Sequence, residues 1–151
     1  MSTSNWSCYI LVLHVSSELK IASGKFVATL RPGFYFYVGS GKKPGVLLAR
    51  LIRHMSKSKR IRWHIDLLTI NPHVEIKGFY LINSSSTDCE SSISQILAGN
   101  LEFIKGFGST DKPRDKSHLF ICDSILEDCL QHVYSMIENA PFIGEIVYAS
   151  F

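Results

Sequence analysis

The chain has 151 residues, a hydrophobic fraction of 46% and a net charge of +3, which fits one folded domain and excludes disorder over most of its length. No apolar run reaches the length of a membrane span, and the polar start MSTSNWS lacks the basic and apolar regions of a signal peptide. We therefore expect a soluble, cytoplasmic protein that does not enter a membrane.

The N-terminal quarter of the sequence predicts antiparallel strands. CYILVLHV at 8–15 is almost entirely apolar, as a central strand covered on both faces would be. KIASG and KFVATL predict a hairpin around Gly24, and FYFYVGS at 34–40 predicts the next strand. Together these segments predict an N-terminal antiparallel sheet.

A loop containing Pro44 leads into a predicted helix, VLLARLIRHMSKS. Its apolar face consists of Leu47, Leu48, Leu51 and Met55. A polar stripe along one edge of that face consists of Arg50, His54 and Lys57. These three side chains should point the same way.

The remaining sequence predicts alternating helices and strands. RIRWHIDLLTI predicts either a short helix or a strand. Beyond it come a strand (VEIKGFYLIN), a helix (TDCESSISQILAGN), a loop (GFGSTDKPRDK), a strand (SHLFICD), a helix (ILEDCLQHVYSMIENA) and a last strand (FIGEIVYASF). With no repeat and no long linker, we expect a single α+β domain, a small antiparallel sheet flanked by helices.

The four cysteines are far apart and include no C-x-x-C pair. This spacing suggests neither a zinc ribbon nor a disulfide framework. We expect all four to be small core hydrophobes. They are Cys8, Cys89, Cys122 and Cys129.

Positive charge is concentrated in one part of the chain. Residues 19–65 contain eleven lysines and arginines and no acid, whereas the rest contains five basic and thirteen acidic residues. If the fold preserves this separation, one face will be basic and will attract phosphate backbones through counterion release. The alternative is that these cations are ordinary solvated side chains of a helix and a loop.

Three short motifs occur in a fixed order, namely Ser7-Cys8-Tyr9, Tyr37-Val38-Gly39 and Arg50-x-x-x-His54. With RWHIDLL, CE, GFGS and SHLF after them, residues 7–120 resemble the GIY-YIG nuclease superfamily, and most closely its uncharacterised archaeal and bacterial branch, domain of unknown function 123. The resemblance implies a GIY-YIG-like domain over residues 1–120 with a hairpin inserted across 16–33. Residues 121–151 would add a strand–helix–strand extension of the same domain.

The resemblance also implies catalytic roles. In GIY-YIG nucleases a tyrosine is thought to take the proton of the attacking water, a glutamate holds one divalent cation, and an arginine steadies the scissile phosphate. These roles would fall on Tyr9, Glu90 and Arg50, with Tyr37 and His54 assisting and one Mg²⁺ or Mn²⁺ ion on Glu90. Because tyrosine ionises near a pH of about 10, Tyr9 needs nearby positive charge to act as a base.

We expect nucleic acid to bind a basic face built from residues 42–62, with DNA favoured over RNA. Trp63 either stacks on an unpaired base or anchors a loop to the core. His64 and Asp66 could pair or bind metal only in a strand, where alternate residues share a face. The expected nucleic-acid-binding residues are Lys42, Lys43, Arg53, Lys57, Lys59, Arg60, Arg62, Trp63 and His64.

Each site residue also has a plainer explanation. Both tyrosines could pack in strands, and the arginine and histidine of the third motif could be the solvated flank of a helix. Thr87 and Glu90 fit a capping box, which needs no metal. His118 could join the same cleft, and GFGS could offer backbone N–H groups to an anion or simply form a turn.

Two of the departures from the superfamily bear on catalytic activity. Ser7 replaces the first-motif glycine, and a late asparagine common in active nucleases has no convincing equivalent. Both favour an alternative, a catalytically inactive DNA- or RNA-binding module that would recruit nucleic acid to a repair partner. A third interpretation is a protein-interaction domain with a basic face. Residues 121–151 are a candidate element for homodimerisation or for docking a repair protein.

Overall fold

The computed structural model describes residues 6–43 and 45–151, and eight strands and four helices form within them. The predicted domain start at residue 1 and the loop residue Pro44 lie outside the described residues. In chain order the elements are β1 (Cys8–Val15), β2 (Leu19–Ser23), β3 (Phe26–Leu30), β4 (Gly33–Ser40), α1 (Val46–Met55), α2 (His64–Thr69), β5 (Val74–Ser84), α3 (Cys89–Ala98), β6 (Glu102–Phe103), β7 (Leu119–Cys122), α4 (Leu126–Glu138) and β8 (Ile143–Ser150).

Six strands form one antiparallel sheet in the order β6-β7-β4-β1-β5-β8. The predicted central position of β1 is confirmed, because β1 pairs with β4 on one side and with β5 on the other. The hairpin β2–β3 is not part of this sheet and makes a separate two-stranded sheet. RIRWHIDLLTI contains a helix, α2, and the short edge strand β6 was not predicted.

The sheet separates two hydrophobic cores. Side chains alternate along a strand, so Tyr9 and Leu11 of β1 face one core while Cys8 and Ile10 face the other. The first core is closed by α1, α2 and the hairpin β2–β3, and the second by α3 and α4. The α+β class is therefore confirmed, with a layer on each face of the sheet.

Helix α1 buries a different face from the predicted one. Leu47 and Leu51 are buried as expected, whereas Leu48 is 61% exposed and Met55 is 44% exposed. His54 takes their place against the sheet, with only 1% of its surface exposed. The predicted polar stripe fails at Lys57, because α1 ends at Met55.

The cysteines are buried as predicted, but they form two disulfides that were not predicted. Cys8 of β1 is bonded to Cys89, the first residue of α3, with Cα atoms 6.3 Å apart. Cys122 at the end of β7 is bonded to Cys129 in α4, with Cα atoms 5.9 Å apart. Neither pair forms a C-x-x-C motif, and the folded sheet and helices bring the paired cysteines together.

Among the described residues, no helix combines the length and apolar character needed to cross a membrane. The expected cytoplasmic location stays a prediction. Structural disulfides do not support it, because they are rare in the reducing cytosol of mesophilic cells.

The two disulfides should stabilise the fold unequally. The Cys8–Cys89 bond closes a separation of 81 residues and the Cys122–Cys129 bond one of 7. In the chain-entropy model these loops correspond to about 4.5 and about 2.4 kcal/mol. We expect Cys8→Ala/Cys89→Ala to lower the free energy of urea unfolding more than Cys122→Ala/Cys129→Ala does. Equal losses, or a larger loss for the second pair, would contradict the loop-length explanation.

Candidate functional site

Side chains from distant parts of the chain line one polar cleft of about 240 Å³. Four of the five predicted catalytic residues contribute directly: Tyr9 from β1, Tyr37 from β4, Arg50 from α1 and Glu90 from α3. The fifth, His54, contacts Tyr9. The remaining lining residues are Gly39, Ser40, Trp63, Gly108 and Asp111.

Gly39 provides the space that Tyr9 occupies. The two residues are direct partners in the β1–β4 ladder. A Cβ atom at position 39 would lie 2.3 Å from Cζ of Tyr9 and 2.4 Å from its hydroxyl oxygen. The glycine of the second motif therefore lets the tyrosine ring lie across the neighbouring strand.

Tyr9 and His54 form a buried polar pair, with 2.6 Å between the Tyr9 hydroxyl and Nε2 of His54. Burial raises the pKa of Tyr9 and outweighs the opposing effect of the Arg50 charge. Burial, with the charge of Lys59, lowers the pKa of His54 to about 4. Both groups are therefore neutral at pH 7, and the Arg50 charge alone does not make Tyr9 a ready base.

Tyr37 lies beside this pair. Its ring centroid is 6.0 Å from that of His54, in an edge-on arrangement. Burial raises the pKa of Tyr37 above its ordinary value, with the neighbouring Tyr9 adding to the effect. Tyr37 is therefore a neutral hydroxyl group at the cleft wall.

Arg50 brings a cation to the cleft. Its guanidinium group donates a hydrogen bond from Nη1 to the Ser40 carbonyl oxygen and lies 5.6 Å from the centroid of the Trp63 ring. The hydrogen bond and the ring contact fix the guanidinium near the end of β4, where it can interact with an anionic ligand.

Glu90 is not part of a capping box. The N-cap of α3 is Asp88, whose side chain accepts a hydrogen bond from the Ser91 backbone at 3.3 Å. Glu90 instead accepts a hydrogen bond from Nζ of Lys112 at 2.8 Å. Sequence reasoning missed Lys112, because nothing in TDKPRDK indicates which carboxylate the folded loop will meet.

The carboxylate of Glu90 is compatible with one divalent cation. Its side chain is only 15% exposed, yet it lines the polar cleft. Mg²⁺ is commonly held by one or two carboxylates and keeps several waters. Among residues 6–43 and 45–151, no group of three histidine, cysteine, aspartate or glutamate side chains is close enough to hold a metal ion. Water would therefore supply most ligands.

Trp63 packs against the first core, and its ring is in contact with three arginines. The guanidinium carbon atoms of Arg50, Arg53 and Arg62 lie 5.6, 5.2 and 5.6 Å from the ring centroid. These contacts support the anchoring interpretation of Trp63. They do not support base stacking, since guanidinium groups already lie against the ring.

Three of the predicted phosphate-binding residues interact with other groups of the protein. Nζ of Lys59, whose side chain is 5% exposed, donates to the Arg53 carbonyl oxygen at 2.7 Å. Nζ of Lys57 donates to two backbone carbonyl groups, those of Asn71 and Val74. Arg53 is paired with the fully buried Asp66 at 2.8 Å. These three cations have intramolecular partners in the folded segment, and their contact with phosphates stays a prediction.

The other predicted basic residues are accessible. Lys42, Lys43, Arg60 and Arg62 are exposed, and within the part of the chain that the structure describes none of them makes an ion pair. Arg62 also lines a second cavity of about 240 Å³, which adjoins the cleft through shared lining residues. A basic residue, Arg62, therefore lines the second cavity next to the cleft.

His64 and His118 have separate positions. His64 stacks on Phe26 with ring centroids 4.2 Å apart, and its Nδ1 accepts a hydrogen bond from the Gly108 backbone at 2.8 Å. It does not pair with Asp66, because the two lie on the helix α2 and Asp66 faces Arg53. His118 is buried, and its Nε2 lies 2.8 Å from Asp115. It is not among the residues lining the cleft.

A family model matches residues 8–139, which is most of the chain. The chain belongs to the family described as domain of unknown function DUF123. The DUF123 match extends past the end of the motif resemblance at residue 120 and includes the last two residues of β7 and all of α4. No curated protein and no solved structure matches the chain.

Gly39→Ala should destabilise the protein, because the added methyl group overlaps the Tyr9 ring. We expect a loss of about 2 kcal/mol or more in the free energy of unfolding. Gly99→Ala is the matched control, since its Cβ would meet nothing closer than 3.5 Å. Denaturant unfolding of both variants checks this, and similar stabilities would contradict it.

His54 should make stability depend on pH. Its pKa is about 4 in the folded protein and 6.5 ordinarily, so the unfolded chain binds more protons between these values. The contribution of His54 to the free energy of unfolding is therefore fully present above a pH of about 6.5. This contribution decreases by about 3 kcal/mol in all as the pH falls towards 4. His54→Gln should flatten this part of the profile. An unchanged profile in urea titrations would refute the assignment to His54.

Proposed function

We propose that this protein binds nucleic acid and hydrolyses phosphodiester bonds as a GIY-YIG-like, metal-dependent endonuclease. One observation carries the proposal: residues separated by up to 81 positions, from Tyr9 to Glu90, line a single polar cleft. Catalytic groups must converge on one reacting phosphate, and these are the residues to which the GIY-YIG resemblance assigns catalysis.

The proposed chemistry uses opposite charges at one phosphate. The guanidinium of Arg50 would bind a non-bridging phosphate oxygen and stabilise the negative charge that develops during hydrolysis. Glu90 would hold one Mg²⁺ or Mn²⁺ ion. Such an ion polarises a phosphoryl oxygen and neutralises developing charge.

Proton transfer would involve Tyr9 and His54. A water that attacks phosphorus must lose a proton, and Tyr9 lines the cleft while its hydroxyl contacts Nε2 of His54. The unprotonated imidazole can accept a proton through the tyrosine hydroxyl, so Tyr9 need not ionise first. Tyr37 would orient the water or the phosphate by a hydrogen bond.

Binding would extend over the accessible cations beside the cleft. Lys42 and Lys43 follow β4 closely, and Arg60 and Arg62 precede α2. Each can neutralise a phosphate group, which makes affinity depend on salt. The GIY-YIG resemblance favours DNA over RNA, in a repair or recombination context.

A nucleic-acid-binding module without catalysis is the second candidate. Two observations favour it: Lys112 donates a hydrogen bond to a carboxylate oxygen of Glu90, and burial keeps Tyr9 protonated. A protein-interaction domain with a basic face is the third. Homodimerisation or docking of a repair protein through residues 121–151 also stays a proposal.

The deciding experiment is cleavage of labelled linear, flapped and four-way DNA, with RNA in parallel, in Mg²⁺ or Mn²⁺. We expect Glu90→Gln to reduce cleavage by about a hundredfold or more, since it removes the charge that would hold the cation, while leaving binding unchanged. Glu127→Gln, on the exposed first turn of α4, is the control and should cleave normally.

Binding is recorded in the same tubes at several salt concentrations. Salt-sensitive binding without cleavage of any substrate would exclude the nuclease and favour the binding module. Absence of both binding and cleavage would favour the protein-interaction domain.

A further inference from the structure

Lys112 is placed between two carboxylates at the edge of the cleft. Its Nζ lies 2.8 Å from Oε1 of Glu90 and 3.0 Å from Oδ1 of Asp88. Its side chain is 29% exposed, and it belongs to the loop between β6 and β7. This ammonium group is the charge partner of Glu90 in the folded protein.

The loop that carries Lys112 is firmly attached to α3. Asp115, which is 4% exposed, accepts hydrogen bonds from the Ser91 hydroxyl at 2.6 Å and from Gln95 at 3.3 Å. His118 contacts the same carboxylate at 2.8 Å. The Asp115 backbone N–H also donates to the Lys112 carbonyl oxygen at 2.9 Å. The backbone at position 112 is therefore fixed by contacts that do not involve the ammonium group.

A lysine side chain on a fixed backbone can still change rotamer. Its four-carbon stem is flexible, and the part-exposed ammonium can move into water at modest cost. A divalent cation bound to Glu90 would meet the Lys112 charge at close range, and two cations that share one carboxylate repel each other. Lysine and metal should therefore exclude each other from Glu90.

We propose that Lys112 is a resident counter-ion of Glu90, which must leave the carboxylate before a divalent cation binds there. This inference rests on the proposed metal site, and it adds a residue that controls metal affinity. Without metal, Lys112 neutralises Glu90 and reduces its repulsion of an anionic substrate. Metal binding is then an exchange of one cation for another.

The test is direct binding of Mn²⁺, followed by electron paramagnetic resonance of the free ion. Lys112→Met keeps the length of the side chain and removes its charge, so we expect Mn²⁺ to bind about tenfold more tightly than to the wild type. Lys112→Arg retains a cation and should stay near the wild type. Lys105→Met, an exposed lysine of the same loop, is the matched control and should change nothing.

Glu90→Gln separates this site from others. The gain from Lys112→Met should disappear in the double variant Lys112→Met/Glu90→Gln, because the competed carboxylate is gone. Unfolding midpoints of all variants check that the fold is retained. If Lys112→Met loses its fold, Lys112→Gln provides a second neutral variant for the same comparison.

Each outcome has one meaning. Glu90-dependent Mn²⁺ binding with equal affinity in the wild type and Lys112→Met would overturn the counter-ion proposal and leave the proposed nuclease intact. No Glu90-dependent binding in either protein would overturn the counter-ion proposal together with the proposed metal site. Tighter binding in Lys112→Met without cleavage of any nucleic acid would support the counter-ion and reject the nuclease.

Discussion

The rest of the structure depends on the alternation of side chains along β1. This strand is hydrogen-bonded on both edges and covered on both faces, so each residue has one fixed direction. Cys8 points towards α3 and is bonded to Cys89, while Tyr9 points the other way, across Gly39, towards His54. A register shift of one residue would exchange these directions and dismantle both the cleft and the disulfide.

The basic segment shows how sequence charge differs from surface charge. Asp66 is the first acid after a long run of cations, and it is fully buried. It accepts hydrogen bonds from Arg53 and from the backbone N–H groups of Arg62 and Trp63. A buried carboxylate needs such partners to offset its desolvation. Part of the positive charge therefore stabilises the segment, and a smaller part is available to a ligand.

The candidate site balances two electrostatic demands. The proposed chemistry would require the site to accept an anionic phosphate beside Arg50 and to leave the Glu90 carboxylate able to hold a cation. Lys112 bears on both requirements, because its ammonium group compensates the charge of the Glu90 carboxylate in the folded protein. The same cleft contains a neutral Tyr9–His54 pair, whose protonation is controlled mainly by burial.

The sequence by itself determined the α+β class, most strands and helices, and the short motifs whose residues line the cleft. Local periodicity and glycine positions carry this information, because they depend on neighbours in the chain. Only the tertiary structure decided that Cys8 meets Cys89, that Lys59 is buried, that the hairpin β2–β3 leaves the main sheet and that Lys112 meets Glu90. These outcomes depend on contacts between residues far apart in the chain, and a single sequence contains no local signal for them.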